Sequence, residues 1–156
     1  MTGLARRLVQ ENLLDEQAAF EAVEAASREK ALLASYLVAN KLVAASDVAR
    51  VASQEFGLPL FDLSVMDLEA APIKLVDEKL IRQHHALPLF KRGNRLFVAV
   101  SDPTNLTGLD EIKFHTGITT EAILVEEDKL NKAIDQALEA ADTSMSDLLD
   151  EDLDNL

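Results

Sequence analysis

The feature that most restricts this chain is an internal repeat near its amino end. Leu8-Val9, three residues, then Leu13-Leu14 recurs as Leu37-Val38, three residues, then Leu42-Val43, at an offset of 29 residues. A period of this length is one helix–turn–helix unit, which is too small to bury its own apolar face. Two such units can cover each other, so the repeat predicts a small four-helix bundle. In each copy a short helical turn, around residues 4–8 and 33–37, precedes a longer helix. Ala19, Ala22, Val23 and Ala26 fall on one face of the first long helix, and Val48, Val51 and Ala52 on one face of the second. Asp15 and Ser46 are placed to cap these helices, and Gly57 to end the second in the left-handed conformation.

The pattern changes after Gly57. Gly57-Leu58-Pro59-Leu60-Phe61-Asp62-Leu63 reads as an extended connector, and residues 73–85 read as helical. Two apolar runs, Leu87-Pro88-Leu89-Phe90 and Leu96-Phe97-Val98-Ala99-Val100, flank Lys91-Arg92-Gly93-Asn94-Arg95. Gly93-Asn94 is expected to supply the positive φ angles of a hairpin turn, which predicts an antiparallel pair. Asp102-Pro103-Thr104-Asn105 then opens a helix to about Thr116, stopped by Gly117. A third strand over residues 118–125 would follow by a right-handed parallel crossover. A last helix over residues 126–140 aligns Leu130, Ala133, Ile134, Ala137 and Leu138. The expected class is α+β: a four-helix bundle over residues 1–63, a small three-stranded α/β subdomain over 66–141, and an acidic flexible tail over 142–156.

Charge narrows the function. The chain has 15 Lys+Arg against 28 Asp+Glu, a net −13 over 156 residues. Nucleic-acid binding depends on cations that release phosphate counterions, and this surplus opposes it. Six of the acids, Asp142, Asp147, Asp150, Glu151, Asp152 and Asp154, lie in the last 15 residues without a base. Leu148, Leu149, Leu153 and Leu156 are scattered among them. Such a segment is a flexible linker or one that folds against a partner. No apolar run approaches the ~20 residues of a membrane span, and the start lacks a signal-peptide core. A soluble, cytosolic protein without direct membrane insertion is expected.

Chemistry is sparse. The absence of cysteine excludes a disulfide scaffold, a thiolate zinc site and a thiol nucleophile. The five glycines form neither a phosphate-cradling loop nor a dinucleotide fingerprint. An anion at the helix start after Val100 would meet Asp102, Asp110 and Glu111. His84 and His85 are adjacent, so on a helix they diverge by about 100° and cannot share an ion. His115 stands alone. No catalytic, cofactor-binding or metal-ligating residue is expected.

From Leu89 to Asn105 the chain reads L-F-K-R-G-N-R-L-F-V-A-V-S-D-P-T-N, and Asp110–Gly117 continues it as D-E-I-K-F-H-T-G. With Gly57–Leu63, these strings resemble the MshEN-type amino-terminal domain of type II secretion and type IV pilus assembly ATPases. The resemblance implies a non-catalytic regulatory and protein-docking domain of a pilus extension ATPase. The hexameric motor would lie carboxy-terminal to this chain, and ATP and Mg2+ are expected only there. Its implied partners are a PilZ-type regulatory protein or a component of the pilus inner-membrane platform, met in the cytoplasm at the base of the machine. Docking is expected on the bundle, where Leu13, Leu14, Leu42 and Val43 follow the helix breaks beside Arg6, Arg7 and Lys41.

Some members of this family bind cyclic di-GMP with a motif, roughly R-L-G-x-x-L-V-x-x-G, extended to a Gln and repeated 29 residues apart. The resemblance places that motif on the repeat found here. Its Arg, two Gly and Gln positions are Gly3, Ala5, Asn12 and Ala26 in the first copy, and Leu32, Ala34, Lys41 and Glu55 in the second. The apolar frame Leu4, Leu8, Val9, Leu33, Leu37 and Val38 persists, whereas the glycine and polar positions do not. A cyclic di-GMP sensor is therefore the alternative, and retention of the frame as bundle core is the plainer expectation.

Overall fold

The computed structural model describes residues 3–65 and 72–139. The acidic tail falls outside the described residues. Four helices come first: α1 (Gly3–Gln10), α2 (Glu16–Glu29), α3 (Leu33–Ala39) and α4 (Ala45–Phe56). After short 3-10 turns at Leu63–Val65 and Ile73–Leu75 come α5 (Glu78–His84), β1 (Leu87–Arg92), β2 (Arg95–Val100), α6 (Leu106–Thr116) and β3 (Thr119–Leu124). A final helix, α7, covers residues 127–139.

The repeat survives atom for atom at its helix ends. Leu13 N–H donates to the Leu8 carbonyl at 3.0 Å, and Leu42 N–H to the Leu37 carbonyl at 2.9 Å. Asn12 and Lys41, 29 residues apart, take φ of +60° and +57°. These are paired helix stops in which a left-handed residue satisfies the orphaned carbonyls. A non-glycine residue there costs about 1–2 kcal/mol, least for Asn. Lys41→Gly is therefore expected to stabilise the fold by about 0.5–1 kcal/mol after the entropy of the freer unfolded chain is counted. Asn12→Gly should be close to neutral. Urea denaturation of the two variants checks the difference.

α1 packs on α4 and α2 on α3, so the two units interlock rather than stack side by side. Asp15 caps α2 as expected, accepting from Gln17 N–H at 2.8 Å. Ser46 caps nothing: α4 starts one residue before it, at Ala45, and its N-cap is Ala44 with no side-chain bond. The start follows the repeat instead: the α4 N-cap Ala44 stands 29 residues after Asp15, the N-cap of α2. Val23 is 38% exposed and sits at the edge of the apolar stripe of α2 rather than within it. Gly57 ends α4 at φ +66°.

The sheet is ordered β1-β2-β3, antiparallel then parallel. Gly93 takes φ +57° at the hairpin tip; Asn94 does not, so a single residue supplies the positive φ. The helix expected over 73–85 is shorter, because Asp77 caps α5 by accepting from Lys79 N–H and leaves only a 3-10 turn before it. Asn105, not Asp102, caps α6, accepting from Gly108 N–H at 3.2 Å. Gly108 is needed there: a Cβ would come within 2.7 Å of Asn105 Oδ1 and 2.9 Å of His84 Cβ.

Two apolar clusters result. One gathers Leu4, Leu8, Leu14, Ala19, Ala22, Ala34, Leu37, Val43, Val48, Val51 and Ala52 inside the bundle. The other packs the sheet with α5, α6 and the stripe Leu130, Ala133, Ile134, Ala137 and Leu138 of α7. Leu124, the last residue of β3, belongs to the bundle cluster. The connector runs beside it, with Phe61 N–H donating to the Leu124 carbonyl at 2.8 Å and Leu124 N–H to that of Pro59 at 3.2 Å. The expected connector is thus also a short partner of β3. Next to it, the Asp62 carboxyl is lowered to about 2 by the Ser64 hydroxyl and N–H and by Lys129. The bundle therefore sits against the carboxyl ends of β2 and β3.

Candidate functional site: the repeat face of the bundle

α1 and α3 carry the positions that matter for ligand or partner. Leu4, Leu8 and Leu37 are buried, and Val9, Leu33 and Val38 are half-buried against the same core. Ala5 and Ala34, at the first glycine of each motif copy, are 2% and 0% exposed. Their methyl groups fill interior space, so no ligand reaches the backbone there. Gly3 lies close to the Phe56 ring, and Ala26 is buried. Leu32 is the N-cap of α3 and offers no side-chain bond.

Charge on this face is satisfied internally. Arg7 lies 3.4 Å from Glu11 and 3.6 Å from Glu55, while Arg50 lies 3.1 Å from Glu11 and 3.4 Å from Asp47. The hydrogen bond from Arg50, with help from Arg7, holds the Glu11 carboxyl below its usual range; Glu11 and Asp47 push Arg50 up. This chain of pairs ties α1 to α4, and it includes Glu55, at the second copy's Gln position. An anionic ligand would have to displace a carboxylate from Arg7 to be bound by it. These pairs are exposed and each contributes little to stability.

Of the expected docking residues, Leu14 (9% exposed) and Val43 (6%) point inward and belong to the core. That corrects half of the apolar set. In each copy the second residue after the helix stop is buried and the first less so: Leu13 is half-buried against the bundle core and Leu42 is 41% exposed. Arg6 and Lys41 are exposed and Arg7 is half-buried beside Glu55. Of the expected docking residues, Leu42, Arg6 and Lys41 are exposed and Leu13 and Arg7 partly so. Among the described residues no cluster of three or more His, Asp or Glu is arranged to hold a metal, and no helix is long and apolar enough to cross a membrane.

The family model for the MshEN domain matches residues 56–144, more than half of the chain. This chain belongs to the MshEN family. It is 46% identical over its full 156 residues to the type IV pilus assembly ATPase PilB of Pseudomonas aeruginosa, and 38% identical over 135 residues to PilB of Acinetobacter baylyi. It spans about a quarter of the length of these relatives, 28% and 23%. Among solved structures it resembles the amino-terminal domain of XpsE (TM-score 0.69, 20% identity, 85% of this chain and 91% of that one). It also resembles MshE solved with cdg (TM-score 0.63, 24% identity, 88% and 99%). At these identities the two structures speak for the fold.

The S-D-P-T-N string that carried the family resemblance proves to be a junction. Asp102 is 1% exposed, and its Oδ2 accepts from Ala34 N–H at 3.1 Å, 68 residues away. Its Oδ1 accepts from Thr104 N–H and hydroxyl at 2.9 and 2.6 Å. One carboxylate thus caps a bundle helix and shapes the loop after β2. Beside it the Ser101 hydroxyl donates to buried Glu127 at the start of α7. His85 Nε2 lies 2.8 Å from Glu127 Oε1, near in distance but off hydrogen-bond direction. From sequence, Asp102 reads as a local feature of α6, since nothing in a linear pattern marks a partner in the repeat.

Proposed function

We propose that this chain is a non-catalytic regulatory and docking domain of a type IV pilus extension ATPase. Its partner would be a PilZ-type regulator or a cytoplasmic component of the pilus inner-membrane platform. The observation that carries this reading is the filling of the repeat: Ala5 and Ala34 are interior, and Arg7 is engaged by Glu11 and Glu55. What the face still offers is an apolar centre of Leu13 and Leu42 with a basic rim of Arg6 and Lys41, the anatomy of a protein interface. Lacking a phosphate loop, the chain alone is expected neither to bind nor to hydrolyse ATP.

The sensor reading draws on the likeness to MshE with cdg. In calorimetric titration, cyclic di-GMP is expected to bind this chain with Kd poorer than about 10 μM, weaker than roughly −7 kcal/mol. Sub-micromolar affinity would promote the sensor. Against candidate pilus proteins, Leu42→Asp with Arg6→Glu should weaken binding at least about tenfold, roughly the loss of one anchoring contact. Phe114→Ser on α6 should leave it unchanged. The reverse pattern would reject the bundle as the docking face.

A further inference from the structure

Three basic residues of this acidic chain, Lys91, Arg92 and Arg95, stand together at the hairpin end of the sheet. From Lys79 to Ser101 the sequence carries Lys79, Arg82, Lys91, Arg92 and Arg95 and no acid. Lys91, Arg92 and Arg95 frame the hairpin tip, all exposed. Arg95 pairs with Glu121 at 2.8 Å, whereas Lys91 and Arg92 meet no carboxylate among the described residues. Arg92 stands 5.7 Å over the Phe90 ring, and Phe90 stacks on Phe97 with centroids 4.7 Å apart, both half-buried. Near the same end, where α6 runs down to Gly117 before β3 starts opposite Arg95, Phe114 is 89% exposed. Among the described residues, no large apolar side chain of the bundle is as exposed.

α7 leads to this end. It starts beyond Val125, whose N–H bonds the Val100 carbonyl at the carboxyl ends of β2 and β3. Covering residues 127–139, it spans about 20 Å, close to the length of the six-residue β3. Its whole stripe is buried against the sheet core. A helix of this length running back along the sheet brings residue 139 toward the level of the hairpin. Past it the chain continues into residues 142–156, which carry six acids, no base and four leucines.

We propose that the hairpin end of the sheet, Lys91, Arg92, Arg95, Phe90 and Phe114, is the docking surface for this chain's own residues 142–156. The charges are complementary, and the leucines match exposed Phe114 and the half-buried Phe90. About eight residues beyond 139 reach at most about 25 Å, enough to bring Asp147 onto the hairpin. Such a tether gives an effective concentration on the order of millimolar, so contacts too weak to hold a separate peptide suffice. The surface is distinct from the bundle face, and the inference does not rest on the function proposed above.

The chain has no cysteine, so a nitroxide on Asn155→Cys labels one site in the otherwise intact protein. Amide resonances of residues 91–95 and 114 are expected to broaden at least about threefold more than those of α2, at about 0.1 M salt. The excess should vanish at about 0.5 M NaCl, where exposed charges are screened, and in Lys91→Glu with Arg92→Glu. Those two changes are exposed, and the remaining spectrum checks that the fold is kept. Broadening shared evenly over the molecule, centred on the bundle, or retained in the charge-reversed variant would overturn the proposal. So would broadening of an isotope-labelled copy without nitroxide when mixed with spin-labelled chain, which would make a second copy the occupant.

Discussion

Alanine at Asp102 is expected to destabilise the folded chain by about 3 kcal/mol, from the buried cap donor of Ala34 left alone and the two part-buried hydrogen bonds lost at Thr104. The side chain is 1% exposed and accepts three hydrogen bonds, from Ala34 N–H and from Thr104 N–H and hydroxyl. Removing it strands the Ala34 donor at the first turn of α3, buried at 0% exposure. A lost cap costs about 1 kcal/mol, and each buried donor left without a partner costs about 1–3 kcal/mol. Asn keeps one acceptor oxygen and can serve Ala34 or Thr104 but not both, so about half the loss is expected. The readout beyond the urea midpoint is amide exchange of Ala34, which should accelerate more than that of Leu8 in α1. If Asp102→Ala costs under about 1 kcal/mol, the loss of a cap alone, Asp102 is not what joins the bundle to the sheet.

This junction also marks where linear reading stops. The three strands, the antiparallel hairpin and the parallel crossover were legible, because Gly93 and Gly117 punctuate apolar runs of strand length. The bundle was legible from the 29-residue offset. Caps were legible only where the partner is local: Asp15 serves Gln17, two residues on, but Asp102 serves Ala34 across the fold. Ser46 failed because α4 starts at the repeat position, with Ala44 as N-cap 29 residues after Asp15. The docking patch was half legible. Leu13 and Leu14 are equally apolar, and their order after a left-handed residue decides which turns inward, a matter of backbone geometry rather than composition. The Arg7–Glu11–Arg50–Asp47 chain joins residues far apart in sequence and carries no motif.

Truncating Leu8 or Leu37 to alanine is expected to cost about 3 kcal/mol each, within the usual ~2.7–5 kcal/mol for a buried leucine. Both are 0% exposed, stand 29 residues apart, and hold equivalent places in the repeat. The two costs should therefore be similar, and each is a large part of the ~5–15 kcal/mol that stabilises a domain. Because Leu124 of β3 shares their cluster, loosening the bundle should also open the strand end beside the connector. Exchange of the Leu124 amide, bonded to the Pro59 carbonyl, reports this directly. Lys41 and Arg6 are exposed and contribute nothing to that core, so Arg6→Ala should leave stability unchanged within about 0.5 kcal/mol. If instead Leu37→Ala were tolerated within about 1 kcal/mol, well below the cost of a buried cavity, the frame would not be held by packing. Persistence of the motif's apolar positions would then have to be explained by something they bind.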